Sequence, residues 1–409
     1  MADLSVPLSD TTIVDGQAGH AALHSEVADY TETLRQWSRN LPVPETVASA
    51  WPNTVLLSSF AGATPADKLR AAMTYGAAQT FKPAILYVPT TDVYDAGATP
   101  FQLYDGFKLL GTGTESEFGY GSKMQVRGTN GVFALKPGAG ARTQGVVLRD
   151  IDFEANVNTA GIFQEQASNG SQGILAYSHI ENCSFDNFKW LIRLPMLGCF
   201  TNGGGHVNNF MEDPVRISGS DNILWPDGLM YDMSYFGPTT YGQRATEYLF
   251  EAASLSKTYV GPIYITGDPG TGVHVTGSNV GQLVFNGVRS EGRNSGLPSA
   301  GAAFRIEGAN GVTLRDCWAS YAMADPSATG RDDAGVIHVA GTSRVLIDGL
   351  WTDAGSSTRR QTVPTVYCAS GATARVRNTM RGINWPGSDG LPRYSGAGSI
   401  SVDDSMVAL

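Results

Sequence analysis

Carboxylates and aromatic rings crowd one stretch of this 409-residue chain. It reads Trp225-Pro226-Asp227-Gly228-Leu229-Met230-Tyr231-Asp232-Met233-Ser234-Tyr235-Phe236 and continues through Tyr241, Arg244, Glu247 and Glu251. Two carboxylates can cleave a glycosidic bond, acting as acid and nucleophile when about 5–5.5 Å apart, or as acid and water-activating base at about 6.5–9.5 Å. Asp227, Asp232 and Glu247 are candidates for those roles, while Trp225, Tyr231, Tyr235 and Tyr241 offer ring faces for stacking on sugars and Arg244 adds fixed positive charge. A second group, Arg289-Ser290-Glu291-Gly292-Arg293, sets a fourth candidate carboxylate, Glu291, between guanidiniums able to hold a uronate or orient an acid. Both groups also have a plainer reading. Aromatics of this kind fill irregular cores and chain interfaces, and Arg-Glu turns are commonly solvated ion pairs.

Other chemistries lack their motifs. There is no Gly-x-Ser-x-Gly elbow, no His-Glu-x-x-His and no phosphate loop, and the six histidines show no metal-ligand spacing, so no metal or cofactor is expected. The net charge of −10 comes without a Lys/Arg cluster, which argues against nucleic acid and anionic membranes as partners. No segment reaches the roughly 20 apolar residues of a membrane span, and the start Met1-Ala2-Asp3-Leu4-Ser5 lacks the features of a secretory signal, so the chain is expected to be made in a cytoplasm and not exported by that route.

The elements that would carry these groups repeat. An aliphatic residue stands two places before an Asp or Asn in Leu148/Asp150, Ile180/Asn182, Val284/Asn286, Leu314/Asp316, Leu346/Asp348 and Val376/Asn378. Neighbouring copies recur about every 30–32 residues, and the one long gap has room for three more. Each block is a short run rich in β-branched residues, entered from Gly or Ser and left through a turn residue. Coils stacked roughly 4.8 Å apart would share one interior, with Leu148, Ile180, Val284, Leu314, Leu346 and Val376 as its ladder. Residues 140–385 are therefore expected to form a right-handed parallel β-helix, an all-β solenoid, in keeping with the 49 glycines and the 16 % of charged residues. Cys183 and Cys317 directly follow turn residues, where Ile151 stands in another copy, and read as buried free thiols.

Upstream, Leu23, Val27, Tyr30, Leu34 and Trp37 form a heptad-like seam that predicts a helix over 18–40, packed either on its own subunit or against symmetry mates. Thr64-Pro65 opens an Ala-rich helix to about Thr80, placed to cover the open first coil of the solenoid. The organisation expected is an N-terminal attachment segment (1–54), a capping helix and opening segment (55–139), the β-helix (140–385) and a Gly/Ser-rich tail (386–409).

Two stretches resemble known families. Ala66 to Gly111, with Ile85-Leu86-Tyr87-Val88-Pro89 and Phe107-Lys108-Leu109-Leu110-Gly111, resembles the opening of the pectate-lyase-like β-helix superfamily, which includes many bacteriophage tailspikes. Val14-Asp15-Gly16-Gln17-Ala18-Gly19-His20, followed by Leu23-His24, is similar to N-terminal attachment segments of tail fibres and minor tail proteins of actinobacterial phages, with Ser25 where those carry Asn. The resemblance implies a homotrimeric tail protein of the virion that joins other tail or baseplate proteins through its N-terminal segment and recognises host surface polysaccharide. The alternatives are a polysaccharide lyase or glycoside hydrolase, and a non-catalytic structural component of the virion.

Overall fold

The computed structural model describes residues 53–112, 122–138, 141–156, 158–163, 174–194, 302–320, 335–353, 364–381 and 394–403. Between 197 and 292 it describes the strands with a few flanking residues, largely as backbone. The expected helix over 18–40 and most of the 1–54 segment lie outside the described residues. The chain divides into two units, residues 1–53 and Thr54–Leu409, and the second holds the repeat.

Short strands return along the chain in triplets and pair in parallel with their counterparts one coil later. One such coil is Gly281–Asn286, Arg289–Gly292 and Phe304–Glu307; the next is Asn310–Arg315, Trp318–Ser320 and Ile337–Ala340. Stacking gives a first sheet of 13 strands, a second of 11 and a third of 8. The protein is thus a parallel β-solenoid. Its first sheet runs from Thr54–Leu56 to Ser399–Val402, beyond the 140–385 over which the repeat is legible. Three of its strands, Phe200–Gly203, Gly228–Met230 and Ser256–Val260, occupy the long gap in the repeat.

The corner between the first and second sheets fixes the register. Its residue takes a left-handed backbone in coil after coil: Asp150 (φ 57°), Asn182 (49°), Gly287 (70°), Asp316 (49°), Gly349 (78°) and Asn378 (53°). Only Gly, Asn and Asp adopt this region at low cost. The backbone ladder continues through the bend, with Asp316 N–H donating to Asp348 O at 2.8 Å and Gly349 N–H to Arg377 O at 3.2 Å. Side chains join it where they can: Asn182 Nδ2 donates to Asp150 Oδ1 at 2.7 Å, and Asn378 Nδ2 to Asp348 Oδ1 at 2.8 Å.

The inward ladder lies two residues before each corner. Leu148, Ile180, Phe285, Leu314, Ile347 and Val376 are all buried, with register pairs such as Phe285↔Leu314 and Ile347↔Val376. This corrects the sequence expectation at two rungs. Val284 and Leu346 are on the opposite side of the strand, because in Asn286-Gly287 and Asp348-Gly349 the glycine, not the acid or amide, takes the left-handed corner. Directly after each corner sits a second buried row, Ile151, Cys183, Val288, Cys317, Leu350 and Thr379. Both cysteines are free, and burial pushes each thiol up to about 12. In the second sheet Phe153 and Phe185 stack at 5.4 Å with their planes 5° apart.

The helix Pro65–Ala78 starts as expected, with Pro65 in the first turn and Thr64 as its cap. Asp67 N–H donates to Thr64 Oγ1 and Thr64 N–H to Asp67 Oδ2, both at 3.1 Å. Its buried face, Ala66, Leu69, Ala72, Met73 and Gly76, packs on the strands Ala84–Leu86 and Val93–Asp95 at the first coils.

Gly349→Ala puts a side chain on a left-handed corner where the new Cβ lies 2.3 Å from Asp316 Oδ1. It is expected to cost about 1–3 kcal/mol, and Phe185→Ala about 3–5 kcal/mol; denaturant titration checks both. In the folded protein, mass spectrometry after alkylation at mildly alkaline pH should find Cys183 and Cys317 unmodified, whereas both react once the chain is unfolded.

Candidate functional site

Because each coil adds one strand in register, the residue two places after the corner recurs on the outer face of the second sheet. In the last coils that row reads Tyr264↔Arg289↔Trp318↔Trp351↔Met380. The Arg289 guanidinium carbon lies 3.4 Å from the centroid of the Trp318 ring. The Trp318 and Trp351 rings follow at 5.8 Å between centroids and 34° between planes. Coil spacing of about 4.8 Å is what allows consecutive aromatic side chains to stack so. Trp351 is 45 % exposed, in a protein whose other side chains of that size among the described residues are mostly interior. Trp318 Nε1 is buried without a hydrogen-bond acceptor.

Beside this row runs a second one. Glu291 pairs with Ser320 and Ser320 with Asp353, each two residues beyond Arg289, Trp318 and Trp351, so strand alternation gives both rows the same face. Of the residues singled out from the sequence, Arg289 and Glu291 are thus brought together on one strand. Tyr235 ends the strand Met233–Tyr235, in register with Val207 and Ile265, on the row that also carries the buried Phe185 and Ala319. Trp225, Asp227, Tyr231, Asp232, Tyr241, Arg244, Glu247 and Arg293 lie outside the described residues. Sequence reasoning misses Trp318 and Trp351, although both stand in repeat blocks. Counting from the left-handed corner, Asp316 in one coil and Gly349 in the next, exposes their common position.

The third sheet carries a polar row of its own on the side away from the core. It reads Arg193↔Arg216↔Glu251↔His274↔Arg305↔His338↔Tyr367. Glu251, from the aromatic and acidic stretch, is therefore the register partner of His274. Arg305 Nη2 donates to Glu307 Oε1 at 2.6 Å, His274 Nε2 lies 3.0 Å from Glu307 Oε2, and the His338 and Tyr367 rings meet at 5.2 Å. His274 and His338 are buried, so this row reads as a charge network holding the coils together more than as an open surface. Among the described residues no cluster of three or more His, Cys, Asp or Glu could hold a metal ion. No helix among them is long and apolar enough to cross a membrane.

No protein family matches the chain, and no curated sequence is similar to it. Solved structures do share its architecture. DFA-IIIase from Arthrobacter chlorophenolicus A6, solved in complex with GF2, superposes with a TM-score of 0.51 at 10 % identity, over 86 % of this chain and 94 % of that one. The pre-mature bacteriophage phi29 gene product 12 gives 0.50 at 11 % identity, over 89 % of this chain and 58 % of that one. The tailspike gp42 of Acinetobacter phage vb_AbaP_AS12 gives 0.43 at 10 % identity, over 88 % and 64 %. The parallel β-solenoid is thus common to this chain, an enzyme and a phage protein, and the fold alone does not choose between them.

Burial pulls the Glu307 carboxyl up, but the hydrogen bonds and charges of Arg305 and His274 outweigh it and hold its pKa below the usual range. The folded state therefore favours ionised Glu307. That stability is present above the ordinary carboxylate range and is lost as pH falls through the depressed folded value. Glu307→Gln should flatten the acid limb of a plot of melting temperature against pH, while leaving the alkaline limb in place.

Proposed function

We propose that the chain is a bacteriophage tailspike or tail-fibre subunit that recognises host cell-surface glycans on the outer face of its second sheet. The observation that carries this reading is the stacked, partly exposed row Arg289–Trp318–Trp351. Trp351 presents an exposed indole on an outward-facing sheet, and indole rings are suited to the apolar faces of sugars. A rigid solenoid holds them at fixed spacing along its axis, a geometry that suits an extended polymer. The fold is shared with the phi29 protein and accommodates the viral assignment. In this reading residues 1–54 attach the subunit to other tail or baseplate proteins, the coils are right-handed, three copies associate, and the protein resides in the virion tail.

A second reading is a polysaccharide lyase or glycoside hydrolase. It is favoured by Glu291 and Asp353, which share the face of the ladder, and the fold, shared with DFA-IIIase, accommodates it. The two readings separate in one experiment with whole host cells and extracted surface polysaccharide. Trp351→Ala should lower binding about tenfold or more while leaving the melting temperature nearly unchanged. Retained binding would contradict the ladder as the recognition surface. Shortening of the polysaccharide by the native protein, lost in Glu291→Gln or Asp353→Asn, would establish the enzyme.

A further inference from the structure

We infer that Tyr177 and the glycine corner beside it form a second subsite, away from the tryptophan row, that takes one pyranose unit of the glycan; this rests on the glycan reading proposed above. Tyr177 lies where the strand Ile174–Ala176 turns into His179–Glu181, and its backbone is left-handed at φ 48°. The register puts Gly145 and Gly106 at the same corner one and two coils earlier, left-handed at 70° and 77°. Later coils also pass from the third sheet to the first through left-handed glycines, Gly277, Gly308, Gly341 and Gly371. Every other non-glycine residue with a positive φ among the described residues is Asn or Asp. A tyrosine is disfavoured in this region, and residues held so against their preference cluster at ligand sites, where the surroundings fix them. The surroundings fix this one on both sides. Ser178 Oγ donates to Ala176 O at 2.8 Å and accepts from Val146 N–H at 3.1 Å. Gly145 N–H donates to Ala176 O at 3.1 Å and His179 N–H to Val146 O at 2.8 Å.

The side chain so placed is 50 % exposed, one of the few large rings that the described residues present to solvent. Beside it the two glycines leave consecutive corners without side chains, about 4.8 Å apart along the axis. A Cβ added at Gly145 would meet only backbone atoms of Gly106, at 3.6 Å, so the space above this corner is open. The stem of Lys82 lies over Gly106, with Cγ 3.0 Å from the place of its missing Cβ, and closes the far end. The result is a short recess floored by backbone, with Lys82 at one end and the Tyr177 ring at the other. Its flanks are polar: the exposed Gln144 on one side, Lys108 and the exposed His179 on the other, in the row Lys108↔Val147↔His179. A contact between copies of the chain would call for an apolar, aromatic-rich centre. A single ring among hydrogen-bonding side chains suits a sugar, which offers an apolar face to the ring and hydroxyls to its surroundings.

The probe is the extracted host surface polysaccharide, cut to short fragments and titrated calorimetrically into the full chain. Tyr177→Asn, which removes the ring but accepts the left-handed backbone, should weaken binding about tenfold or more and leave the melting temperature unchanged or raised. Tyr177→Phe, which keeps the ring, should bind nearly as the native chain does. Gly145→Asn, which fills the recess with a side chain that also accepts a positive φ, should weaken binding as the loss of the ring does. If Tyr177→Asn fails to fold, the Tyr177→Phe and Gly145→Asn variants still decide. Native affinity in both Tyr177→Asn and Gly145→Asn, with binding lost in Trp351→Ala, overturns the subsite and leaves the glycan-binding ladder standing. Unchanged affinity in Tyr177→Asn together with a changed mass in solution assigns the ring to a contact between copies and overturns the subsite as well. Absence of binding by the native chain overturns the glycan reading, and the subsite with it.

Discussion

The structure depends on one backbone constraint, the left-handed residue at the corner between the first and second sheets. A bend there turns the chain sharply without breaking the hydrogen-bond ladder, since the corner N–H still donates to the next coil. Gly, Asn and Asp are the residues that accept this conformation at little cost, and they hold the position at 150, 182, 287, 316, 349 and 378. Asn side chains add bonds from coil to coil at 182 and 378. Once the corner is set, the period-two alternation of the strands assigns every neighbouring residue to the interior or the surface.

The outer rows inherit their order from this register. Arg289, Trp318 and Trp351 stack because each lies two residues past its corner, and no separate loop is needed to assemble them. The third sheet shows the same inheritance with a different result: Arg193, His274, Arg305, His338 and Tyr367 fall on one polar row whose two histidines are buried, and Glu307, two residues beyond Arg305, is held ionised beside it. One face is thus consolidated by charge and hydrogen bonds, and another presents aromatic surface outward. A solenoid separates these tasks by sheet, each sheet carrying its own row through many coils.

Much of this is legible in the sequence, and the limits have physical causes. The period, the three coils within the long gap, the buried cysteines after their turns and the Thr64-Pro65 start of the helix all follow from local residue types. The ladder of tryptophans does not, because anchoring the repeat on Asn286 and Asp348 shifts the count by one residue. That shift puts Val284 and Leu346 inside and assigns the outer position to Val288 and Leu350, which are buried. Glycine at 287 and 349 is the better anchor, having no side chain to oppose a positive φ. The coils before residue 140 are hidden for another reason: strands of two or three residues, such as Phe101–Gln102 and Ala84–Leu86, are too short to show alternation. Arg289 and Glu291 stand out by composition alone, and their setting beside Trp318 needs the register.

The register is tested most directly by cysteine pairs on neighbouring coils. Thr313 and Leu346 are Cα partners on the outer side of the first sheet, at the strand spacing of about 4.8 Å that a disulfide can span. Under mild oxidation the double variant Thr313→Cys, Leu346→Cys should cross-link within the folded chain, as read by mass spectrometry. Thr313→Cys with Ile347→Cys, whose second residue faces the interior, should not. Cross-linking of the second pair in preference to the first would place Leu346 in the core and contradict the account.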